Sequence, residues 1–391
     1  MKDSQHLTGT STVPVPLLDV VGGNAPLRDE ILAAIARVVD SGRFLHGPDC
    51  RELEAEVARR CEVPRAVSCA SGSDALLLAM MALGIGAGDE VIVPSFTFFA
   101  TASCVWRVGA QPVFVDIDPV TFNIDPQQVE AAITRATRAI IPVHLFGQCA
   151  AMDALNRIAQ QHDLYVVEDA AQSIGAGYRN RPAGSWGHIG CFSFYPTKNL
   201  GGMGDGGMLT TRDETLANRL SLYAAHGMEP RYYHQVVGIN SRLDSIQAAV
   251  LNVKMQKLDE WNMARARNAD SYHELFTAAM LDQHIILPKT TQKHCHVWNQ
   301  YTIRVPDGQR DALRSYLAKA NIGSEIYYPV PLHLQQCFEP LGYQVGSLPE
   351  TERAANEVLS LPIYPELTEA HQAAVVDQIG RYYAKQARFA A

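Results

Sequence analysis

Short apolar runs alternate with amphipathic segments through the first two-thirds of the chain. The short runs are continuously apolar rather than alternating, which is typical of parallel strands buried on both faces. Between them, apolar residues recur at intervals of three and four, which predicts helices that cover a sheet. This succession predicts an α/β fold with right-handed crossovers. The predicted strands are 66–68, 90–93, 112–116, 139–144 and 164–168, and the predicted helices are 28–39, 73–83, 98–108, 126–134 and 152–161.

The pattern changes after residue 238. A long helical pattern covers 244–259 and continues towards 279, and it is followed by a strand at 300–305, a helix at 310–320 and a helical tail from 368. Such a mixture predicts a smaller α+β domain after the large one. The expected division is a flexible N-terminal segment at 1–15, a large domain at 16–255 and a small domain at 256–391.

Asp169 is the first candidate for chemistry, because it directly follows the predicted strand 164–168. Ligands of open α/β sheets bind beyond the carboxyl ends of the strands. A carboxylate there can pair with the nitrogen of a pyridine ring and keep it protonated, so that the ring accepts electrons. A solvated loop acid or a helix N-cap also accounts for the position alone.

Lys198 is the second candidate, a lone lysine that follows the apolar residues 191–194 and a turn. A desolvated lysine has a lowered pKa and becomes a nucleophile that forms a Schiff base with an aldehyde. Asp169 followed by Lys198 therefore suits pyridoxal phosphate (PLP), with the acid on the ring nitrogen and the lysine on the aldehyde. A surface lysine on a loop is the alternative for any single lysine.

A phosphate could bind at residues 71–76, which lie between a short strand and a helix. The free N–H groups and the positive end of that helix suit an anion, and Ser73 adds a hydroxyl. Ordinary N-capping by Ser71 or Ser73 explains the motif as well. Ser193 is a second hydroxyl candidate. The aromatic residues that could cover a ring are Phe96, Phe98 and Phe99.

Two further motifs have structural explanations. Gly202, Gly204 and Gly207 match the GxGxxG pattern, but a strand-like segment follows instead of the helix that a dinucleotide site needs. We interpret them as a flexible loop and turn beside Lys198. The sequence His294-Cys295-His296 is too tight and isolated for zinc, so we predict a loop there and no metal site.

Composition and charge restrict the classes of binding partner and the compartment that we expect. The net charge is -8 without a dense Lys/Arg run, which argues against nucleic acid. No segment approaches about 18 uninterrupted apolar residues, and residues 1–14 lack the apolar stretch of a signal peptide. The eight cysteines form no CxxC pair, which favours reduced thiols. We therefore expect a cytoplasmic protein without a membrane span.

Several longer motifs occur in the order found in the DegT/StrS-type sugar aminotransferases, and the chain resembles that family over roughly residues 15–370. The family is a branch of the fold-type-I PLP enzymes. The resemblance therefore implies a large domain with a mostly parallel seven-stranded sheet between helices, and a smaller C-terminal α+β domain. The matching segments are 71–76, 84–101, 112–118, 168–172, 192–200, 238–249 and 327–333.

The resemblance also implies a role for each matching residue. Lys198 would form the Schiff base with PLP and later move protons, and Asp169 would pair with the pyridine nitrogen. Asn240 would reach the phosphate of the neighbouring subunit, which makes the enzyme an obligate homodimer. The remaining implied roles are ring contacts by Gln172 and Phe98, phosphate contacts by Gly72, Ser73 and Ser193, and sugar contacts by Tyr328 and His333.

The implied reaction is a ping-pong transamination, in which L-glutamate supplies the amino group and a nucleotide-linked keto-sugar receives it. Such enzymes serve amino-sugar and polysaccharide biosynthesis. Relatives that act as sugar dehydratases carry His in place of the Schiff-base lysine, so Lys198 favours transamination. The alternatives are a non-catalytic regulatory homologue that binds PLP, and a nicotinamide-dependent enzyme that uses the glycine loop.

Two segments favour amination at C3 of the sugar. Residues 204–207 and 240–244 look more like relatives acting on 3-keto sugars, whereas relatives acting on 4-keto sugars, the alternative, more often carry Glu in the first segment. Residues 226–234 resemble enzymes of UDP-linked 3-keto hexuronic acids, and a dTDP-linked 3-keto-6-deoxyhexose is a second candidate. Arg231 could pair with a C6 carboxylate, or it could be a surface arginine that holds an interface loop.

Overall fold

The computed structural model describes residues 14–290 and 294–390. The strands of these residues are β1 (Arg65–Cys69), β2 (Glu90–Pro94), β3 (Gln111–Val115), β4 (Thr137–Ile140), β5 (Tyr165–Asp169), β6 (Gly177–Tyr178), β7 (Arg181–Pro182), β8 (Ile189–Ser193), β9 (Gly207–Thr211), β10 (His294–Cys295), β11 (Tyr301–Arg304) and β12 (Val358–Leu361). One sheet holds seven of them in the order β1–β9–β8–β5–β4–β2–β3. β9 is antiparallel to both neighbours, and the other four pairings are parallel. The predicted mostly parallel seven-stranded sheet is confirmed.

Helices pack on both faces of this sheet. Those of the described chain are α1 (Val20–Asn24), α2 (Arg28–Ser41), α3 (Pro48–Arg60), α4 (Gly72–Leu83), α5 (Ala100–Arg107), α6 (Pro126–Ala131), α7 (Met152–Gln161), α8 (Glu214–Ala224), α9 (Ser245–Met255), α10 (Leu258–Ala278), α11 (Arg310–Lys319), α12 (Pro349–Glu357) and α13 (Glu369–Ala390). In β2, Val91 and Val93 pack in one cluster with α4 and α5, whereas Ile92 packs in another with α6 and α7. Successive strand residues point to opposite faces, so a strand covered on both sides must be apolar throughout.

A second core lies in the small domain. β11 and β12 form an antiparallel pair, and Tyr301 of β11 packs with Tyr272 and Phe276 of α10. Val15 is fully buried in the same core, and its N–H donates to the carbonyl of Asn321 at 3.0 Å. The fold therefore includes Val15, which the prediction had placed in a flexible segment. Residues 1–13 of that segment lie outside the described residues, and the predicted border at 255/256 falls between α9 and α10.

Several predicted elements differ from the structure. The strand expected at 139–144 ends at Ile140, and the helix expected at 126–134 ends at Ala131. The helix expected at 98–108 begins at Ala100, because the chain first turns across the sheet edge at residues 95–98. The long pattern at 244–279 is two helices, α9 and α10, separated by a turn in which the Lys257 N–H bonds the carbonyl of Lys254. His294–Cys295 is a short strand that pairs with β6, not a loop. In the described part of the chain, no helix has the length and apolar character needed to cross a bilayer.

Candidate active site

Two neighbouring strands bring the predicted cofactor residues to one edge of the sheet. β5 ends at Asp169, and β8, its parallel neighbour, ends at Ser193. Lys198 lies in the connection between β8 and β9. The N-terminus of α4 reaches the same edge, because Gly72 packs directly against Ser193. This is the edge at which parallel sheets bind ligands.

Asp169 is a buried carboxylate in a fixed orientation. Its Oδ2 accepts a hydrogen bond from the Thr101 hydroxyl at 2.8 Å, and its Oδ1 accepts one from the Ala171 N–H at 3.2 Å. Burial raises the pKa of Asp169, while these two donors and the charge of Lys198 act in the opposite direction. A desolvated carboxylate is stabilised by a cation, so this site suits a protonated ring nitrogen.

The preceding acid, Glu168, has a structural role. Its side chain is completely buried and accepts a hydrogen bond from His144 Nε2 at 2.9 Å. His144 Nδ1 accepts from the Ala150 N–H at 3.2 Å, so Nε2 carries the hydrogen that is donated to Glu168. The His144 backbone N–H also donates to the carbonyl of Asp169. The other donors to Glu168 are the N–H groups of Gly184, Trp186 and Gly187.

Lys198 is a reactive amine by its surroundings. Burial lowers the pKa of Lys198 to about 8, although the charge of Asp169 raises it. Within the described residues, its Nζ forms no hydrogen bond and no ion pair within 4 Å, so the amine is available for chemistry. A lysine in this condition carries a substantial neutral fraction near neutral pH.

The start of α4 forms a cradle for an anion. The Ser71 hydroxyl caps the helix by accepting the Asp74 N–H at 3.1 Å. The N–H groups of Gly72 and Ser73 donate to no described residue, and the Ser73 side chain is exposed. A Cβ on Gly72 would lie 2.7 Å from the Cβ of Ser193, so the absence of a side chain lets the Ser193 hydroxyl approach the helix end. Two free N–H groups and two hydroxyls fit a phosphate.

Gln172, Tyr328 and Phe98 form one wall of the site. Gln172 Oε1 accepts the Phe146 N–H at 2.6 Å, and its Nε2 donates to the Tyr328 hydroxyl at 3.3 Å. Burial raises the pKa of Tyr328, so its phenol stays protonated. The Phe98 ring lies 6.2 Å from that of Tyr328, and the side chain is 57% exposed. An exposed ring at this place is open to a flat ligand.

His333 is fully buried and engaged at both ring nitrogens. Its backbone N–H donates to Ser95 Oγ at 3.1 Å, and Nδ1 lies 2.7 Å from the same hydroxyl. Its Nε2 lies 3.2 Å from Glu352 Oε1. Burial lowers the pKa of His333, and Glu352 partly opposes this. This geometry makes His333 a support of Ser95, and direct contact with a sugar stays a prediction.

Asn240 and Arg231 lie on the surface of the described chain. The hydroxyl of Ser241, next to Asn240, accepts the Ala70 N–H at 3.0 Å and donates to Asp74 Oδ2 at 2.7 Å. Asn240 is exposed and follows a loop anchored beside the α4 N-terminus. The Arg231 guanidinium donates to the Tyr232 hydroxyl at 2.9 Å and covers that ring. The contacts of Arg231 are thus with its own loop, and the roles of both residues stay predictions.

Comparisons with known proteins identify the family of the chain. Residues 26–380 match the model of the DegT/DnrJ/EryC1/StrS aminotransferase family. The chain belongs to this family.

Similar proteins include both enzymes and a regulator. The chain is 46% identical to a UDP-N-acetyl-3-dehydro-alpha-D-glucosamine 3-aminotransferase of Acidithiobacillus ferrooxidans, covering 95% of this chain and 99% of the relative. It is 50% identical to a pleiotropic regulatory protein of Geobacillus stearothermophilus, covering 94% and 98%. The crystal structure of S. venezuelae DesV in complex with a ketimine intermediate superposes with a TM-score of 0.91 at 45% identity, covering 95% and 99%.

In this DegT/DnrJ/EryC1/StrS aminotransferase, the glycine-rich segment leads into β9 and not into a helix, as predicted. Sequence reasoning missed Thr101, which orients Asp169, and Ser241, which ties the loop before it to α4. Both residues lie inside the matching motifs. Their hydrogen-bond partners, however, are distant in the sequence, so no local spacing predicts these contacts.

Replacing Gly72 with alanine is expected to weaken PLP binding by about 10-fold or more, because the new methyl group must displace Ser193 from the phosphate cradle. Overpacking of this kind costs about 1–3 kcal/mol. Titration of the cofactor-free protein with PLP measures the affinity. The matched control is Gly86→Ala, since the nearest atom to a Cβ there is 3.7 Å away. Equal PLP affinities for the two variants would contradict the assignment of the cradle.

Proposed function

We propose that this protein is a PLP-dependent aminotransferase that transfers an amino group from L-glutamate to C3 of a nucleotide-linked 3-keto sugar. The observation that carries the proposal is the meeting of Asp169, the Lys198 amine of lowered pKa and the α4 N-terminus at one sheet edge. The sugar class rests on the A. ferrooxidans relative, which is named as a 3-aminotransferase of a UDP-linked 3-dehydro sugar. The product would serve amino-sugar and polysaccharide biosynthesis in the cytoplasm.

The residues present fit the cofactor. Ser73, Ser193 and the free N–H groups of Gly72 and Ser73 would hold the phosphate, and Asp169 would face the ring nitrogen. The exposed face of Phe98 would cover the ring, and Gln172 would contact its hydroxyl. When bound, PLP supplies an electron sink that stabilises negative charge on the carbon bearing the amine.

Lys198 would move the proton. With a pKa of about 8, its amine both accepts and releases a proton near neutral pH, which is the condition for an efficient general acid–base. The buried Asp169 carboxylate, held by Thr101 and Ala171, supplies a fixed negative charge that acts on the Lys198 amine. The neutral phenol of Tyr328 keeps Gln172 in place without adding charge.

The test is a spectrum followed by a substrate panel. We expect the purified protein to show a visible absorption band that L-glutamate bleaches. Starting again from the unbleached protein, nucleotide-linked amino sugars with the amine at C3 should also bleach the band, and 2-oxoglutarate should restore it, whereas 4-amino sugars should react far more slowly. Lys198→Ala protein provides the blank. A band that no amino acid changes, or faster reaction of 4-amino sugars, would contradict the corresponding part of the proposal.

A regulatory function is the second candidate, because the G. stearothermophilus relative is named as a regulatory protein. It predicts PLP binding without turnover of any sugar in the panel. A nicotinamide-dependent enzyme predicts binding of NAD or NADP, which calorimetry measures. The glycine loop that such an enzyme would use leads into β9, so it lacks the helix N-terminus that holds a pyrophosphate.

The homodimer is part of the proposal. Asn240 would act in the site of a second copy, since in its own chain it is exposed at the end of a loop with exposed Tyr232, Tyr233 and Val237. Large exposed apolar side chains in one segment are typical of an interface. Sedimentation measures the state, and a mixture of inactive Lys198→Ala and Asn240→Ala chains should regain activity if the sites are shared.

Replacing Arg231 with alanine is expected to reduce kcat/KM for a hexuronic acid substrate by about 10–100-fold, since a charge-assisted pair with a carboxylate contributes about 1.5–3 kcal/mol. A neutral 3-amino sugar should lose less than about threefold. The comparison of both substrates on the native and Arg231→Ala enzymes measures this. Equal losses on the two sugars would identify Arg231 as a residue that only holds its loop.

A further inference from the structure

Lys254 is a buried cation that the proposed mechanism does not use. It lies near the end of α9 with 5% of its surface exposed, and it forms no ion pair within 4 Å with any carboxylate of the described chain. An ammonium group removed from water loses favourable solvation, which is costly unless other contacts replace it. Burial lowers the pKa of Lys254 to about 8, which reflects this cost. A residue in this position needs a compensating contact.

That contact is with the segment that carries Lys198. Lys254 Nζ donates a hydrogen bond to the carbonyl oxygen of Gly201 at 2.5 Å. The Trp261 ring of α10 lies beneath the ammonium, with its centroid 5.9 Å from Nζ. A cation over an aromatic face recovers part of the lost solvation. The acceptor of this hydrogen bond, Gly201, lies three residues after Lys198 in the chain.

The segment 196–201, here called the lysine loop, is closed on itself. A Cβ on Gly201 would lie 2.3 Å from the carbonyl oxygen of Pro196, so the two ends of the loop touch. At its base, the Gly202 N–H donates to the carbonyl of Phe194 at 2.8 Å. A loop whose ends are this close transmits a shift at Gly201 to Lys198, because little slack remains between them.

Asn199 fixes the other side of the lysine loop. Its Nδ2 donates to Asn262 Oδ1 at 2.7 Å and to the Val297 carbonyl at 2.8 Å, and its Oδ1 accepts from Asn299. Asn199 therefore anchors the tip, and the exit at Gly201 has Lys254 as its side-chain anchor. The two anchors lie on different segments, since Lys254 belongs to α9 and the partners of Asn199 lie on α10 and at 297–299. A reactive side chain held in place needs such a supporting shell.

We infer that Lys254 is a positioning residue, which fixes the exit of the lysine loop through the Gly201 carbonyl and so holds Lys198 in register with Asp169. The inference rests on the proposed function only in that Lys198 carries the chemistry. Displacement of a reacting group by about 1 Å costs roughly 100-fold in rate. A Lys254 variant that displaces Lys198 by such a distance should lose rate by up to this factor.

The test compares Lys254→Met with Lys254→Arg. Hydrogen exchange of the lysine loop in the cofactor-free protein should accelerate by about 10-fold or more in the Met variant, because the loop has lost one anchor. In the loaded enzyme kcat should fall by about 10–100-fold, with KM for the sugar changed less than about threefold. The Arg variant retains a donor and should recover most of both. The control is Lys257→Met, an exposed lysine of the following turn that pairs with Glu260.

Several results would overturn the inference. Native hydrogen exchange of the lysine loop together with a native kcat in Lys254→Met would overturn it. Hydrogen exchange that accelerates equally in the lysine loop and in the central sheet would also overturn it, because such a change indicates general destabilisation. Lys254→Gln is measured by the same criteria if the Met variant does not fold. Fast loop exchange in a protein that transaminates no sugar would support the anchoring role while overturning the proposed function.

Discussion

Replacing Lys198 with alanine is expected to lower kcat by about 10⁴-fold or more and to remove the visible absorption band. In the proposed mechanism one amine would perform both the covalent attachment of PLP and the proton transfer, and proton transfer alone contributes about 10²–10⁴-fold. Steady-state turnover and a single-turnover reaction with L-glutamate measure the loss. The control is Lys257→Ala, which removes an exposed lysine of the same chain. Retention of more than about 1% of the native rate would exclude Lys198 as the acid–base.

The pKa of Lys198 makes the same assignment testable without turnover. In the cofactor-free protein, covalent capture of PLP should accelerate as the pH rises through about 8, because the neutral amine is the nucleophile. Asp169→Asn should move this midpoint to lower pH, since the carboxylate favours the charged amine. A midpoint near the ordinary lysine value of 10.5 would show that the amine is not desolvated.

Replacing Asp169 with asparagine is expected to lower kcat by about 100-fold or more while PLP remains bound. The amide keeps a similar shape, and its oxygen can still accept from the Ala171 N–H while its Nδ2 donates to the Thr101 hydroxyl, but it carries no charge to keep a ring nitrogen protonated. Loss of one preorganised electrostatic contact costs roughly 10²–10³ in kcat. Stopped-flow rates of the L-glutamate half-reaction and the absorption spectrum measure the two parts of this prediction.

Thr101→Val provides a graded comparison for Asp169. It removes one neutral donor from the carboxylate, so the loss in kcat should be about 10-fold, between the native enzyme and Asp169→Asn. If Asp169→Asn retained the native rate, the carboxylate would have no electronic role. If Thr101→Val were as slow as Asp169→Asn, the hydroxyl and not the charge would be essential.

The sheet could be predicted because its signal is local. Val91, Ile92 and Val93 are all apolar since both faces of β2 are covered, and that is visible without knowing which strand lies beside it. The strand order and the antiparallel β9 depend on pairings between residues far apart, which no periodicity contains. The start of α5 could not be predicted for a similar reason, because the turn before it begins at Ser95, whose hydroxyl contacts the distant His333.

In the candidate site, too, local features can be predicted from the sequence and contacts between distant residues cannot. Asp169 and Lys198 are recognisable because each follows an apolar strand, but Glu168 and Asp169 are chemically alike and adjacent. Their contacts distinguish them: Glu168 accepts from His144 and three backbone N–H groups, whereas Asp169 accepts from Thr101 and Ala171 and interacts with the charge of Lys198. Lys254 has no local signal either, since a lysine on a helix is ordinarily exposed.

The burial of Val15 bears on how the chain is made. Val15 shares a core with Val375 and Ile379 of α13, so the small domain joins the two ends of the described chain. During synthesis this core cannot close until α13 has left the ribosome, whereas the strands of the large sheet are complete once residue 211 has emerged. The large sheet can therefore form first, and a nascent chain stalled before residue 369 would expose the apolar residues of α10 and β11 to chaperones.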